Sequence, residues 1–194
     1  MEQINFQVAV DRLKQTGFNP LPDRVRITIP NAKEQLIKGL RYFEGDNAKW
    51  LPEYEEIVNW LSDNEYRGLL CYGNCGRGKS LICWKILPLL INHYCRKIVS
   101  CYDSQQMNAD IDGVKANHLI YIDDVGIENV SIKYGEKRLA FSEIVDEAEK
   151  KGKLLIATTN LSLDELAQKY GERTMDRLVA ITKRVKFIGS SLRK

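Results

Sequence analysis

The stretch CYGNCGRGKSL, residues 71–81, sets a glycine, four variable positions and then Gly-Lys-Ser directly behind the apolar run GLLCYG (68–73). That run reads as a buried strand. Residues 79–94, with Leu81, Ile82, Trp84, Leu87 and Leu90, read as a helix that Pro88 should kink or end. Strand, glycine-rich turn and helix N-terminus in this order form the context that a phosphate-binding loop requires. Glycines at 73, 76 and 78 let the backbone turn tightly and aim successive N–H groups inward, where the helix terminus adds partial positive charge. The expected nucleotide-binding segment is therefore Gly73, Asn74, Cys75, Gly76, Arg77, Gly78, Lys79, Ser80 and Leu81. Lys79 would reach the β- and γ-phosphates, and the Ser80 hydroxyl would be a ligand to Mg2+. A glycine-rich turn that binds nothing is the alternative.

Working outward, four further apolar runs follow: KIVSCY (97–102), HLIYID (118–123), KLLIATT (153–159) and RVKFIG (184–189). Helical patterns lie between them. Residues 136–150 carry Leu139, Phe141, Ile144, Val145 and Ala148; residues 163–170 open after a Ser162–Glu165 capping box. Upstream of the loop, Tyr54, Ile57, Val58 and Leu61 mark one face of another helix. Buried strands alternating with helices imply an α/β fold, a three-layer P-loop NTPase with a mainly parallel central sheet flanked by helices. In the first fifty residues, RVRITI (24–29) alternates like a short strand, and Asn31 with Glu34 suggests a capping box opening a helix to about Phe43. The polar segment EGDNAKW (44–50) is the expected boundary between a short N-terminal extension, 1–50, and an ATPase domain, 51–194.

A chain of 194 residues suits one domain, and a formal charge of +3, from 29 basic and 26 acidic residues, does not announce a nucleic-acid binder. With no apolar run of 18 residues and charges mixed into the N-terminus, neither a membrane span nor a leader is expected, which points to the cytoplasm. Five cysteines without a CxxC pair fit reduced thiols rather than a metal site.

The run HLIYIDDVG delivers Asp123 and Asp124 to the end of a buried strand. Asp123 would take the metal, and Asp124 would orient an attacking water. Two carboxylates at the edge of a core are costly without a cation. KLLIATTN offers Thr158, Thr159 and Asn160 at another strand tip. If that strand lies between those carrying Gly73 and Asp123, Asn160 is suited to hold the attacking water; ordinary turn chemistry is the alternative. Tyr102 and Tyr121 are read as packing residues rather than stacking platforms for bases, on their strand positions.

The order GLLCYGNCGRGKSL, IYIDDVG, LLIATTNLS, YGERTMDRL over residues 53–194 resembles the helicase-loader branch of the AAA+ ATPases, the DnaC-like loaders with the related IstB-like transposition helpers. The resemblance implies ATP and Mg2+ as cofactors and a homo-oligomeric ring or spiral that loads or remodels a replicative helicase. Single-stranded DNA is a possible ligand of the assembly. It also implies that an arginine of Gly171, Glu172, Arg173 and Arg177 enters the neighbouring subunit's site as a finger, Arg177 by motif position with Arg173 as support or substitute. Residues alone would make those two arginines a solvated i, i+4 helix face. The closing SSLR is similar to a segment in which an arginine, here Arg193, approaches the nucleotide of its own subunit. An IstB-like helper acting with a transposase on duplex DNA is the close alternative, and a small-molecule or nucleotide kinase a more distant one. YDSQQMNADIDGVKAN (102–117) occupies the place of the family's DNA-holding helical elaboration, but its Asp103, Asp110 and Asp112 disfavour phosphate contact.

Overall fold

The computed structural model describes residues 3–17, 22–128, 131–133 and 136–192. The apolar runs supply β1 (Gly68–Gly73), β2 (Ser100–Asp103), β3 (Leu119–Asp123), β6 (Leu154–Thr159) and β7 (Thr182–Phe187), all parallel, in the order β2-β3-β6-β1-β7. A separate antiparallel pair, β4 (Ser131–Lys133) and β5 (Glu136–Arg138), comes after β3 in the chain. The described residues also form helices α1 (Phe6–Lys14), α2 (Ala32–Glu44), α3 (Tyr54–Ser62), α4 (Leu87–Cys95), α5 (Ser104–Ala109), α6 (Ile111–Ala116), α7 (Ala140–Lys151), α8 (Leu163–Tyr170) and α9 (Glu172–Ile181), with a 3-10 turn at Gly45–Asn47. None is long and apolar enough to cross a membrane.

Strand side chains alternate between two cores, which makes the expected three layers. Leu69, Cys71, Tyr121, Ile156 and Phe187 pack with α2, α3 and α4 on one face. Leu70, Ile120, Ile122, Leu155 and Ala157 pack with α5 to α9 on the other. The central strand β6 is buried along its whole length, as a parallel strand covered on both faces must be. At the sheet edge, β7 turns Val185 and Phe187 inward and leaves Arg184 and Lys186 exposed, charges that discourage another strand from adding there.

Four local expectations are corrected. RVRITI alternates in burial, with Val25, Ile27 and Ile29 inside, yet it is not a strand. Its hydrogen bonds go to the end of α3: Asn64 Oδ1 accepts from Ile27 N (2.7 Å), Asn64 Nδ2 donates to Val25 O (3.1 Å), and Ile29 N donates to Leu61 O (2.8 Å). A side-chain amide thus replaces a neighbouring strand. Asn31 has φ +52 and makes no side-chain cap, so the expected capping box is not formed although α2 is. The helix expected over 136–150 begins only at Ala140, because 136–138 pairs with 131–133, and Arg138 is held by Glu143 of α7 and Asp112 of α6. The helix behind the loop opens as a π-helical turn, Leu81–Ile86, in which Leu87 N donates to Ile82 O, before α4 resumes with Pro88 in its first turn. The acidic segment 102–117 becomes two short helices, with Asp103 capping α5 and Asp110 capping α6.

Much of 22–50 packs into the same core as the helix behind the loop after β1. Leu36 and Leu40 of α2 join Ile82 and Ile86 there, and Gly39 lies so close to Ile86 that a Cβ would meet it at 2.6 Å. α1 buries none of its side chains.

Candidate nucleotide-binding site

The C-terminal ends of β1, β6 and β3 lie side by side, so the loop after β1, the Thr158–Asn160 tip and the Asp123–Asp124 pair meet at one rim of the sheet. They form one wall of a cleft of about 1020 Å3, whose other walls include Leu40, Glu44, Asn47, Trp84 and Leu192. Lys79 is central. Its ammonium donates to Gly73 O (2.7 Å), Asn74 O (2.7 Å) and Asn160 Oδ1 (2.9 Å). Burial pushes it below the usual lysine range, against an opposing pull from Asp124 and Asp123. Such a cation is held by neutral oxygens and stands ready for an anion.

The loop itself is gripped from behind. The Tyr54 hydroxyl donates to Arg77 O (2.9 Å) and lies against Gly78, φ +88, where a Cβ would collide with it. The Arg77 guanidinium turns to Glu53 Oε1 (2.6 and 2.9 Å), a pair almost wholly buried. The chain after β7 crosses the loop's outer side. Asn74 N donates to Phe187 O (3.0 Å), Asn74 Nδ2 to Gly189 O (2.8 Å), Leu192 N to Gly76 O (2.8 Å), and Ser191 occupies the space a Cβ on Gly76 would need. The side chains of Asn74 and Arg77 therefore face supports, and what these positions can offer a ligand is backbone. Cys75 is exposed, and Leu81 opens the π-helical turn.

Three hydroxyls converge on Oδ1 of Asp123: Ser80 (2.8 Å), Thr158 (2.5 Å) and Tyr121. Its Oδ2 has no hydrogen-bond partner among the described residues, and Asp123 lines the cleft. Magnesium needs only one or two protein oxygens beside water and phosphate, so Ser80 and Asp123 fit that ion. Asp124 has φ +50, a left-handed conformation sparsely used outside glycine; its N–H donates to Thr158 Oγ1 (3.1 Å), and its carboxylate accepts from Asn160 Nδ2 (3.2 Å). Asn160 thus bridges Lys79 and Asp124. β6 does lie between β1 and β3, the condition on which its role was expected.

The two arginines of the GERxxxR segment part company. Arg177 is tied within its own chain to Asp146 and Glu149 of α7, the latter at 3.0 Å. Arg173, at the exposed start of α9, has no ion pair or hydrogen bond among the described residues. Arg193 lies outside the described residues. Tyr102 meets Asn117 through its hydroxyl (2.8 Å), and Tyr121 is buried, so neither is an open platform. Sequence reading missed Glu53 and Tyr54 as supports of the loop, and Tyr121 as a partner of Asp123 behind the cleft. Glu53 and Tyr54 carried only a helix signal, since their partner is 23 or 24 residues away.

No protein-family profile matches the chain, and no curated protein matches it. Solved structures do. The DnaC helicase loader superposes with a TM-score of 0.54 at 18% identity, over 83% of this chain and 93% of that one. DnaI superposes at 0.50 and 19%, over 84% and 86%, and a candidate primosome component from Streptococcus pyogenes serotype M3 at 0.53 and 16%, over 84% of each chain. These likenesses, with the strand order, show that the chain shares the fold of these proteins, a parallel five-stranded sheet between two layers of helices.

Proposed function

We propose that this protein binds and hydrolyses Mg·ATP in the cleft behind Gly73–Leu81, and that it acts as a homo-oligomer to load or remodel a replicative helicase. The observation that carries the first half is the meeting of Lys79, Ser80, Asp123, Asp124 and Asn160 on three adjacent strand ends. The backbone N–H groups of the loop cradle the triphosphate, and Lys79 leaves the carbonyls of Gly73 and Asn74 for phosphate oxygens. Ser80 and Asp123 would hold magnesium, which would supply positive charge against the phosphates. Asp124, steadied by Asn160, takes up the attacking water and turns its lone pair toward phosphorus.

A cation on the γ-phosphate side completes such a site; Lys79 already serves the loop, and of the other cations lining the cleft, Lys85 lies over the Phe43 ring and Lys49 is exposed on the segment after α2. The finger comes from a neighbouring subunit in this reading, and Arg173 is the better placed of the two candidates, because Arg177 would first have to break two ion pairs of its own chain. Likeness in fold to the DnaC helicase loader and DnaI, together with the GERxxxR segment, supports the helicase assignment. The test has two arms. Calorimetry with Mg·ATP should show one site per chain, and hydrolysis per chain should rise with protein concentration. Mixing the protein with the replicative helicase of its own host should give a complex whose amount depends on ATP. A flat titration removes the nucleotide site; ATP-dependent assembly on duplex DNA with indifference to the helicase favours the transposition-helper reading.

A further inference from the structure

Tyr121 takes no part in the chemistry of ATP proposed for the cleft, and its surroundings are unusual for a core phenol. Its ring is fully buried on β3, two residues before Asp123 and on the same face of the strand. The hydroxyl donates to Asp123 Oδ1 and stands 3.2 Å from Thr158 Oγ1, which itself donates to that same oxygen. Two fixed hydroxyls from adjacent strands therefore hold one oxygen of the carboxylate. A carboxylate at a strand end can rotate about χ2, and with a single partner either oxygen could face the cleft. The indole of Trp84 meets the Tyr121 ring edge to face at 5.6 Å and 86°, and Trp84 lines the cleft as well. The third hydroxyl on Oδ1, from Ser80, belongs to the mobile part of the arrangement, since a metal would draw it away.

We propose that Tyr121 is a positioning residue for the metal: with Thr158 it locks Oδ1 of Asp123, so that Oδ2 is presented to magnesium while Ser80 turns from the carboxylate to the ion. Trp84, packed on that phenol, is a built-in reporter of metal occupancy. The inference rests on the nucleotide-site reading and extends it to a residue outside the loop and the Asp-Asp pair. A core tyrosine that merely satisfies its own hydroxyl would have no influence on metal affinity.

The experiment compares wild type with Tyr121→Phe, which keeps the ring and its packing. Affinity for a fluorescent ATP analogue is measured in chelator and across a Mg2+ titration, with tryptophan emission followed in parallel. Outer partners of a metal ligand typically govern affinity by 10–100-fold, so the Mg2+ concentration for half-maximal effect should rise about 10-fold in the variant. Affinity in chelator should stay as in wild type, and the emission change, absent from Trp84→Phe, should shift with the metal curve. An unchanged metal curve overturns the proposal, as does a parallel loss of metal-free affinity, which marks Tyr121 as only structural. Should Tyr121→Phe not fold, Thr158→Val must give the same shift, or the lock is wrong. A wild-type protein that binds no nucleotide overturns the parent reading and this one with it, whereas a wild type that answers to Mg2+ beside an indifferent variant overturns this inference alone.

Discussion

The rim of the sheet and the outer end of α9 both carry cations that the sequence marks for nucleotide chemistry, and the fold treats them oppositely. At the rim, Lys79 is almost fully enclosed and held by three oxygens from two strand ends, with Asp123 fixed from three sides. On α9, Arg173 stands in the open, and Arg177 is spent on α7. Enclosure fixes geometry within one chain; exposure leaves a charge to be placed by whatever docks. On the proposed reading, one chain has the parts for binding nucleotide, while Arg173 is a cation offered outward.

The sharpest way to break that contrast is Arg173→Ala. Arginine fingers are worth about 10³–10⁵ in rate, so hydrolysis by the assembled protein should fall by about 10³ with nucleotide affinity unchanged, as single-turnover assays and calorimetry would show. A variant of full activity would return Arg173 to a solvated surface. Next in size, Lys79→Ala removes a charged donor; at about 1.5–3 kcal/mol for hydrogen bonds to charged groups, nucleotide affinity should drop by about 10–100-fold. Arg177→Ala should act on the fold rather than on catalysis. Removing it frees Asp146 and Glu149 at a half-exposed site, where ion pairs are worth about 1 kcal/mol or less, so the expected sign is a small fall in Tm with binding intact. Loss of hydrolysis without loss of stability would instead name Arg177 as the finger.

How much was legible in the sequence depends on the same distinction between fixed spacing and distant contact. The loop, the five strands of the main sheet and Asp123 with Asp124 announce themselves, because a parallel strand buried on both faces is a continuous apolar run and a phosphate loop needs its glycines at fixed spacing. The supports were not legible. Glu53 and Tyr54 grip the loop from a helix whose periodicity says only that it has an inner face, and Asn64 stands in for a strand beside residues 24–29 from far along the chain. The antiparallel pair β4–β5 was hidden because its residues abut a helical pattern, and two three-residue strands are too short to show a period. The resemblance put Arg177 ahead of Arg173 by motif position, but both sit on one helix face, and only the position of α7 shows that Arg177 is paired within its own chain.

The smallest effect concerns pH. Burial holds the Lys79 ammonium below its ordinary range, so between that depressed value and the ordinary lysine pKa the unfolded chain binds more protons than the folded one. Stability of the nucleotide-free protein should therefore rise modestly as pH climbs through that interval. Nucleotide affinity should move the other way and weaken, because the phosphates need the charged form. Opposite slopes in thermal melts and in binding isotherms, both absent from Lys79→Met, would sharpen the picture of an enclosed cation; parallel slopes would contradict it.

The segment 187–192, stitched to Asn74, Gly76 and Arg77, has a mechanical consequence. Anything that peels those residues outward tugs the loop after β1 from its far side, without entering the cleft. The last described turn of the chain is thereby a handle on that loop, and on the proposed reading a pull there would loosen the grip on a bound phosphate.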